Sequence, residues 1–125
     1  MTKRRNQPER ALHLAVAQYL TLALPKDAIW HHSPNGGKRH IREGEMFKRM
    51  GTRAGWPDIE IIYRGRFYGI ELKTGARVIS DDQWEMHEWI QNAGGDTTTC
   101  RSLHEVQRIL NVWAIPLSAS VRPLA

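Results

Sequence analysis

Hydrophobic and polar residues follow distinct periods along this chain, and the changes of period predict eight secondary-structure elements. A helical spacing of apolar residues runs from Pro8–Glu9 through Leu12, Val16 and Leu20 up to Pro25. Further helices are predicted at 41–50, 80–94 and 102–113. Apolar or β-branched stretches predict strands at 28–32, twice within 57–73, and at 96–100. The order α-β-α-β-β-α-β-α is typical of a small α/β sheet with helices around it.

Capping signals mark the starts of the last two predicted helices. "SDDQ" (80–83) is a Ser-x-x-Gln capping box with acidic residues in the first turn, and this helix ends at Gly94-Gly95. "SLHE" (102–105) is a second capping box. Both helices therefore have a definite first turn.

The two strands within 57–73 can be aligned as a hairpin with a two-residue turn at Arg64-Gly65. Ile59 then faces Ile70, Ile61 faces Tyr68 and Pro57 faces Leu72, which gives one continuous apolar face. A slip of one residue would mix the two faces, so the pattern favours this register. The opposite face carries Asp58 against Glu71, with Lys73 two residues further along it.

Two facing carboxylates repel each other unless something compensates their charge. A divalent metal ion such as Mg²⁺ would do so, because it prefers carboxylate oxygens and water as ligands. Alternatively, Asp58 and Glu71 are solvated at a sheet edge and Lys73 pairs with one of them. Glu60 shares this face, where it is either close to the metal or simply solvated.

Length and composition restrict the class of protein. The chain has 125 residues, which is enough for one domain with one core, and its hydrophobic content of 41% is typical of a globular protein. Cys100 is the only cysteine, so no internal disulfide is possible. The sequence has no apolar run of membrane-spanning length and no secretory signal, and we therefore expect a cytoplasmic protein without a membrane partner.

Positive charge is concentrated in one part of the chain. The net charge is +5, which favours a polyanionic partner. Between residues 38 and 53 only Glu43 and Glu45 oppose a basic cluster, and Lys3, Arg4 and Arg5 add to it. This cluster is either a phosphate-binding surface or simply a solvated charged face. With Asn35 from the loop "SPNGG", the residues predicted to contact a nucleic acid are Asn35, Lys38, Arg39, Arg42, Lys48, Arg49 and Arg53.

Pro57-Asp58, followed thirteen residues later by Glu71-Leu72-Lys73, resembles the PD-(D/E)xK nuclease signature. The wider set "HHSPNGGKR", "GTRAGWPDIEII", "GRFYGIELKTG", "SDDQWEMHEWIQNAGG" and "SLHEVQRIL" resembles the VRR-NUC branch of that superfamily. The resemblance covers about residues 9 to 110. It implies a single domain with a restriction-endonuclease-like core, a mixed central sheet flanked by helices, a basic lead at 1–7 and a tail of unknown role at 114–125.

The resemblance also implies roles for individual residues. Asp58 and Glu71 match the ligands of Mg²⁺ or Mn²⁺, with the backbone carbonyl of Leu72 as a further ligand. Lys73 matches the lysine that assists the attacking water and the phosphate. Glu9 and Gln83 match a first-helix glutamate and a third-helix glutamine of the branch. Glu9 could instead serve the helix dipole, and Gln83 could serve only its capping box.

The implied function is metal-dependent, structure-selective cleavage of DNA. Compact stand-alone members from phages and bacteria resemble Holliday-junction resolvases that act as homodimers, so we expect branched DNA as substrate and a homodimer, in the host-cell cytoplasm if phage-encoded. Trp84, Trp89 and Trp113 belong either to a dimer interface or to the core. The histidines at 31 and 32 are interpreted as loop residues near the substrate rather than metal ligands.

Two alternatives to this function stay open. One is a nuclease of the same chemistry that cuts flaps, nicks or single strands. The other is a DNA-binding module that keeps the nuclease fold without catalysis. Neither the nuclease nor the module is expected to need a small-molecule cofactor.

Overall fold

The protein is described here by a computed structural model that covers residues 2–34 and 41–121, without the side chains of 2–6, 41 and 42. Eight elements lie in these ranges, in the order predicted from the sequence. They are α1 (Thr2–Ala23), β1 (Ala28–His32), α2 (Ile41–Arg49), β2 (Ile59–Tyr63), β3 (Arg66–Leu72), α3 (Asp81–Asn92), β4 (Asp96–Cys100) and α4 (Leu103–Val112). None of the helices within the described ranges is long and apolar enough to cross a membrane.

The four strands form one mixed sheet in the order β1-β2-β3-β4. The pairs β1–β2 and β2–β3 are antiparallel, whereas β3 and β4 are parallel. A parallel pair needs a crossover connection, and α3 supplies it. The predicted α/β fold, with a mixed central sheet flanked by helices, is confirmed.

The β2–β3 hairpin has the predicted register from Ile59 onward, but Pro57 precedes β2 and packs its ring at Gly69 rather than opposite Leu72. Ile59 lies opposite Ile70, and Ile61 lies opposite Tyr68. Arg64 and Gly65 form the two-residue turn, and both have positive φ, at 50° and 78°. Positive φ at both central residues is the requirement of a type I′ turn, whose twist matches that of the strands.

One face of the sheet forms the main core with α1 and α4. Ile59, Ile61, Ile70 and Leu72 are fully buried there. They pack in one cluster with Val16 and Leu20 of α1 and Val106 and Leu110 of α4. Trp113 packs against this cluster with its ring 4.8 Å from that of Tyr68, so it belongs to the core. Trp84 and Trp89, by contrast, are exposed on α3.

The opposite face of the sheet is partly covered by α3 and by the loop that precedes β2. At Gly69 a Cβ atom would lie 2.6 Å from the Pro57 ring, and at Gly95 it would lie 2.8 Å from the Ile90 side chain. Both glycines therefore allow chain segments to approach β3 and β4 closely. This face carries Glu71.

Helix α1 begins earlier than the sequence pattern predicted. It starts at Thr2 and includes Pro8, so Glu9 lies in the helix interior and its first turn has no acidic residue. The dipole interpretation of Glu9 is therefore wrong. The residues before Pro8 are mostly good helix formers, and their propensity favours the extra turns despite the proline.

Two further details concern the C-terminal part of the chain. Ser102 caps α4 by accepting from the Glu105 N–H, but the Glu105 carboxylate accepts from the N–H of Arg101 rather than that of Ser102. The second capping box is thus only half formed. The segment after α4 packs on α1: Ile115 is buried, the Tyr19 hydroxyl donates to the Ala119 carbonyl, and the Ser118 N–H donates to the Ala23 carbonyl. This segment closes one end of the core.

Candidate active site

Asp58 immediately precedes β2 and sits beside the end of β3. Its carboxylate accepts a hydrogen bond of 2.8 Å from the Leu72 N–H. Its carbonyl accepts one of 3.1 Å from the Ser33 N–H, which ties the residue to the end of β1. The hairpin register thus places Asp58 next to Glu71, as the sequence predicted. Three strands hold it in position.

Glu71 is the central charged group of this site, and only 2% of its surface is exposed. Its Oε2 atom accepts a hydrogen bond of 3.0 Å from the Gln83 side chain. Its Oε1 atom is buried and has no hydrogen-bond partner among the described residues. Burial and the neighbouring Asp58 carboxylate raise the pKa of Glu71 to about 9, although Lys73 acts in the opposite direction. The pair without a cation therefore retains a proton at neutral pH.

Lys73 follows Glu71 on the same side of the chain. Its Nζ atom lies 3.8 Å from Glu71 Oε2, and its side chain is 15% exposed. The N–H of Lys73 donates to the Cys100 carbonyl, which anchors its backbone beside the end of β4. A rigid backbone thus presents a partly buried ammonium group next to the two carboxylates.

Gln83 has both of the roles that the sequence left open. Its Oε1 atom accepts from the Ser80 N–H and its N–H donates to the Ser80 hydroxyl, which completes the capping box of α3. Its Nε2 atom donates to Glu71. The cap fixes the amide in one orientation, so the amino group points at the carboxylate.

Asp58, Glu71, Lys73 and Gln83 line one open cavity of about 720 Å³. Glu9 lines it as well, but its carboxylate is 3.0 Å from the guanidinium of Arg77. The backbone at Gly55 approaches the start of α3 so closely that a Cβ atom there would lie 2.3 Å from the Asp82 carbonyl oxygen. This contact shapes the cavity. The loop before β2 thereby packs against the first turn of α3.

Comparison with solved structures finds a protein of similar fold. A protein described as a "VRR_NUC domain protein" superimposes on this chain with a TM-score of 0.68 at 26% sequence identity, covering 85% of this chain and 87% of that one. The chain has the VRR-NUC fold. No family model and no curated protein matches the sequence.

In this VRR-NUC fold the described members of the predicted DNA-binding cluster lie around the cavity or close to it. Lys48 and Arg53 line it, and the guanidinium of Arg53 also lies 4.5 Å from the centre of the Trp89 ring. Arg49 is exposed on α2. Asn35, Lys38 and Arg39 lie outside the described residues, as does the side chain of Arg42.

Sequence reasoning missed Arg77 and His13 close to this site, whereas His32 was expected near the substrate; it lies at the end of β1 rather than in a loop. Arg77 lines the cavity, and its guanidinium donates a hydrogen bond to the Glu9 carboxylate, although the two residues are 68 positions apart. The His32 ring makes a hydrogen bond of 2.8 Å with the Asp58 carbonyl through Nδ1. The His13 ring stacks edge-on against His32 at 4.2 Å. A usable signal was the position of His13 four residues after Glu9, since residues at that spacing share a helix face.

Whether a metal ion fits this site depends on the ligand atoms that the fold brings together there. Two carboxylates meet here, and the buried Oε1 of Glu71 has no intramolecular partner among the described residues. Within those residues no three His, Cys, Asp or Glu side chains are grouped closely enough to hold a metal, so Glu9 does not join the pair. Two carboxylates with water as the remaining ligand suit Mg²⁺. The residues present thus fit such an ion.

Proposed function

We propose that this protein is a Mg²⁺- or Mn²⁺-dependent endonuclease that hydrolyses phosphodiester bonds in branched DNA, as Holliday-junction resolvases do. The observation that carries the proposal is the buried Glu71 carboxylate, one oxygen of which has no hydrogen-bond partner within residues 2–34 and 41–121. It lies next to Asp58 and Lys73 on the wall of an open cavity. Burial of such a group is costly unless a cation or hydrogen bond compensates it. A bound divalent cation is the compensation that also supplies chemistry.

Asp58 and Glu71 would hold the ion, and the Leu72 carbonyl would be a further ligand. When bound, the ion would lower the pKa of a water molecule and polarise a phosphoryl oxygen. The chain's own contribution is to hold the two carboxylates rigidly. Asp58 is fixed by the Leu72 N–H and Glu71 by the Gln83 amide.

Lys73 would stabilise the negative charge that builds up on the phosphate during cleavage. Its ammonium group lines the cavity and is held near Glu71, so it need not reorganise when that charge develops. Gln83 would act as a positioning residue, because it contacts Glu71 and the helix cap at the same time.

The walls of the cavity support a nucleic-acid substrate. Lys48, Arg53 and Arg77 line it together with the carboxylates, and such cations contact phosphates without reading bases. A homodimer would place two such sites on opposite strands of a four-way junction, in line with the twofold symmetry of that substrate. The exposed Trp84 and Trp89 are candidates for the contact.

The test is cleavage of an end-labelled four-way junction, flap, single strand and linear duplex with Mg²⁺, Mn²⁺ or EDTA. Asp58→Asn and Lys73→Ala should each lower the cleavage rate by roughly 100-fold or more. Asp27→Asn and Lys26→Ala are matched controls, because both residues are exposed and lie outside the cavity. DNA binding in EDTA should persist in all four variants.

Each outcome has a definite meaning. Symmetric, metal-dependent cuts in the junction, lost in the two site variants alone, support the proposal. Metal-dependent cleavage of the flap or the single strand instead of the junction would support the nuclease chemistry and refute the four-way junction as substrate. Binding without cleavage in any metal refutes the nuclease and favours a binding module.

A further inference from the structure

A second cavity of about 400 Å³ opens beside the candidate active site, between α2, the loop before β2 and the sheet. It shares three wall residues with the first cavity, namely Phe47, Thr52 and Arg53. Its size is within the usual range of small-ligand pockets, roughly 300–1,000 Å³. Since the two cavities adjoin, a single strand of DNA could occupy both.

Aromatic side chains form one wall of the second cavity. The rings of Trp56 and Phe67 lie 5.9 Å apart in an edge-to-face arrangement, and both residues are half-buried. Phe47 contributes from α2 and is 39% exposed. Aromatic side chains of this kind stack against nucleobases in proteins that bind single strands.

Glu60 supplies a carboxylate to this cavity, and the shared Arg53 lies where this cavity adjoins the first one. Glu60 lines the second cavity and accepts a hydrogen bond from the Ser33 hydroxyl, which leaves carboxylate lone pairs for a second donor. A carboxylate repels a phosphate but accepts from the exocyclic amino group of a base such as cytosine. Glu60 therefore favours the amino group of a base, while Arg53 and the cations and metal ligands of the first cavity suit the phosphate.

We propose that this cavity binds one unstacked nucleobase with an exocyclic amino group, from the strand whose phosphate lies at Asp58 and Glu71. Trp56 and Phe67 supply the stacking surface and Glu60 accepts from the amino group. The inference rests on the proposed function, whose substrate it specifies. Bases near a branch point are already partly unstacked, so the energy needed to displace one of them is small.

Binding of single strands in EDTA tests this inference without cleavage and without assuming a register. Fluorescence anisotropy would compare strands of about ten nucleotides made of cytosine, of thymine, or of abasic residues. Wild type should prefer cytosine over the abasic strand by about five- to a hundredfold, and over thymine by a smaller factor. Equal affinity for all three strands would overturn the proposal.

Three variants assign the preference to this cavity. Trp56→Leu should remove the preference for cytosine over abasic strands. Glu60→Gln should remove discrimination between cytosine and thymine, because an amide both donates and accepts. Ile29→Ala is the control, at an exposed apolar residue outside both cavities. Equal losses of preference in Ile29→Ala and Trp56→Leu would refute the assignment. Unchanged discrimination between cytosine and thymine in Glu60→Gln would refute it as well.

The isosteric Glu60→Gln variant keeps the proposal testable if Trp56→Leu fails to fold.

The nuclease proposal and the base-binding proposal can be refuted independently of each other. Base-selective binding in EDTA with no cleavage in Mg²⁺ or Mn²⁺ would refute the nuclease alone. Metal-dependent cleavage together with equal binding of abasic and cytosine strands would refute the base-binding cavity alone.

Discussion

Ile70 and Glu71 are neighbours in β3 and both are almost fully buried, yet they belong to different parts of the molecule. Ile70 points into the apolar cluster between the sheet, α1 and α4. Glu71 points to the other face, toward Asp58, Gln83 and Lys73. Burial of an apolar group stabilises the fold, whereas burial of a carboxylate with an unpartnered oxygen opposes it. The comparison indicates that one face of the strand provides stability and the other provides chemistry at a cost in stability.

The largest expected stability effect comes from the core face. Ile70→Ala should lower the free energy of unfolding by about 2–5 kcal/mol, because it removes fully buried methyl and methylene groups and leaves a cavity. Ile62→Ala is the matched control, since Ile62 lies in the same hairpin and is 51% exposed; its effect should stay within about 0.5 kcal/mol. Urea denaturation monitored by circular dichroism measures both. Equal losses would contradict the assignment of the core to this face.

Glu71→Gln should have the opposite effect on stability to Ile70→Ala. It should raise the melting temperature of the metal-free protein by several degrees. The pKa of Glu71 is raised to about 9 in the fold from an ordinary value of 4.5. Below pH 4.5 the carboxyl is protonated in both folded and unfolded chains. As pH rises from 4.5 to about 9 the unfolded chain releases this proton first, so stability falls over that window.

The gain from Glu71→Gln should therefore be larger at pH 8 than at pH 5, as measured by thermal denaturation in EDTA. Glu85→Gln, an exposed carboxylate on α3, should change little at either pH. Mg²⁺ or Mn²⁺ should raise the melting temperature of wild type but not that of Glu71→Gln. A destabilised Glu71→Gln variant would show that the buried carboxylate contributes to stability.

Much of this architecture follows from the sequence because it depends on local rules. The alternation in 59–72 and the turn at Arg64-Gly65 fix the register, and the register alone brings Asp58 to Glu71. The dual role of Gln83 could not be resolved in advance, since both roles use the same helix start and only the packing of α3 on β3 joins them. The links Arg77–Glu9 and His13–His32 connect distant segments, and no local pattern encodes such contacts.

His87 allows a smaller test of the polar groups buried on the α3 side of the sheet, at acidic pH. It is buried on α3, its Nε2 atom has no hydrogen-bond partner among the described residues, and burial lowers its pKa below 6.5. The unfolded chain therefore binds a proton before the folded one does, and stability is lost as pH falls through 6.5. His87→Leu should reduce the drop in melting temperature between pH 7.5 and pH 5, whereas His31→Leu, at an exposed strand position, should not. Identical drops in wild type and His87→Leu would exclude this explanation.

The smallest expected effect concerns the turn that gives the hairpin its two faces. Arg64 has φ of 50°, which asparagine tolerates better than arginine, and Asn-Gly is a favoured pair in type I′ turns. Arg64→Asn should raise the free energy of unfolding by about 0.5 kcal/mol, because the ion pair that it loses with Asp27 is long, at 3.8 Å, and exposed. Gly65→Val is the opposing variant and should be destabilising, since a β-branched residue is strained at φ of 78°. If Arg64→Asn proved destabilising and Gly65→Val neutral in the same urea titration, the turn would not determine the register that brings Asp58 to Glu71.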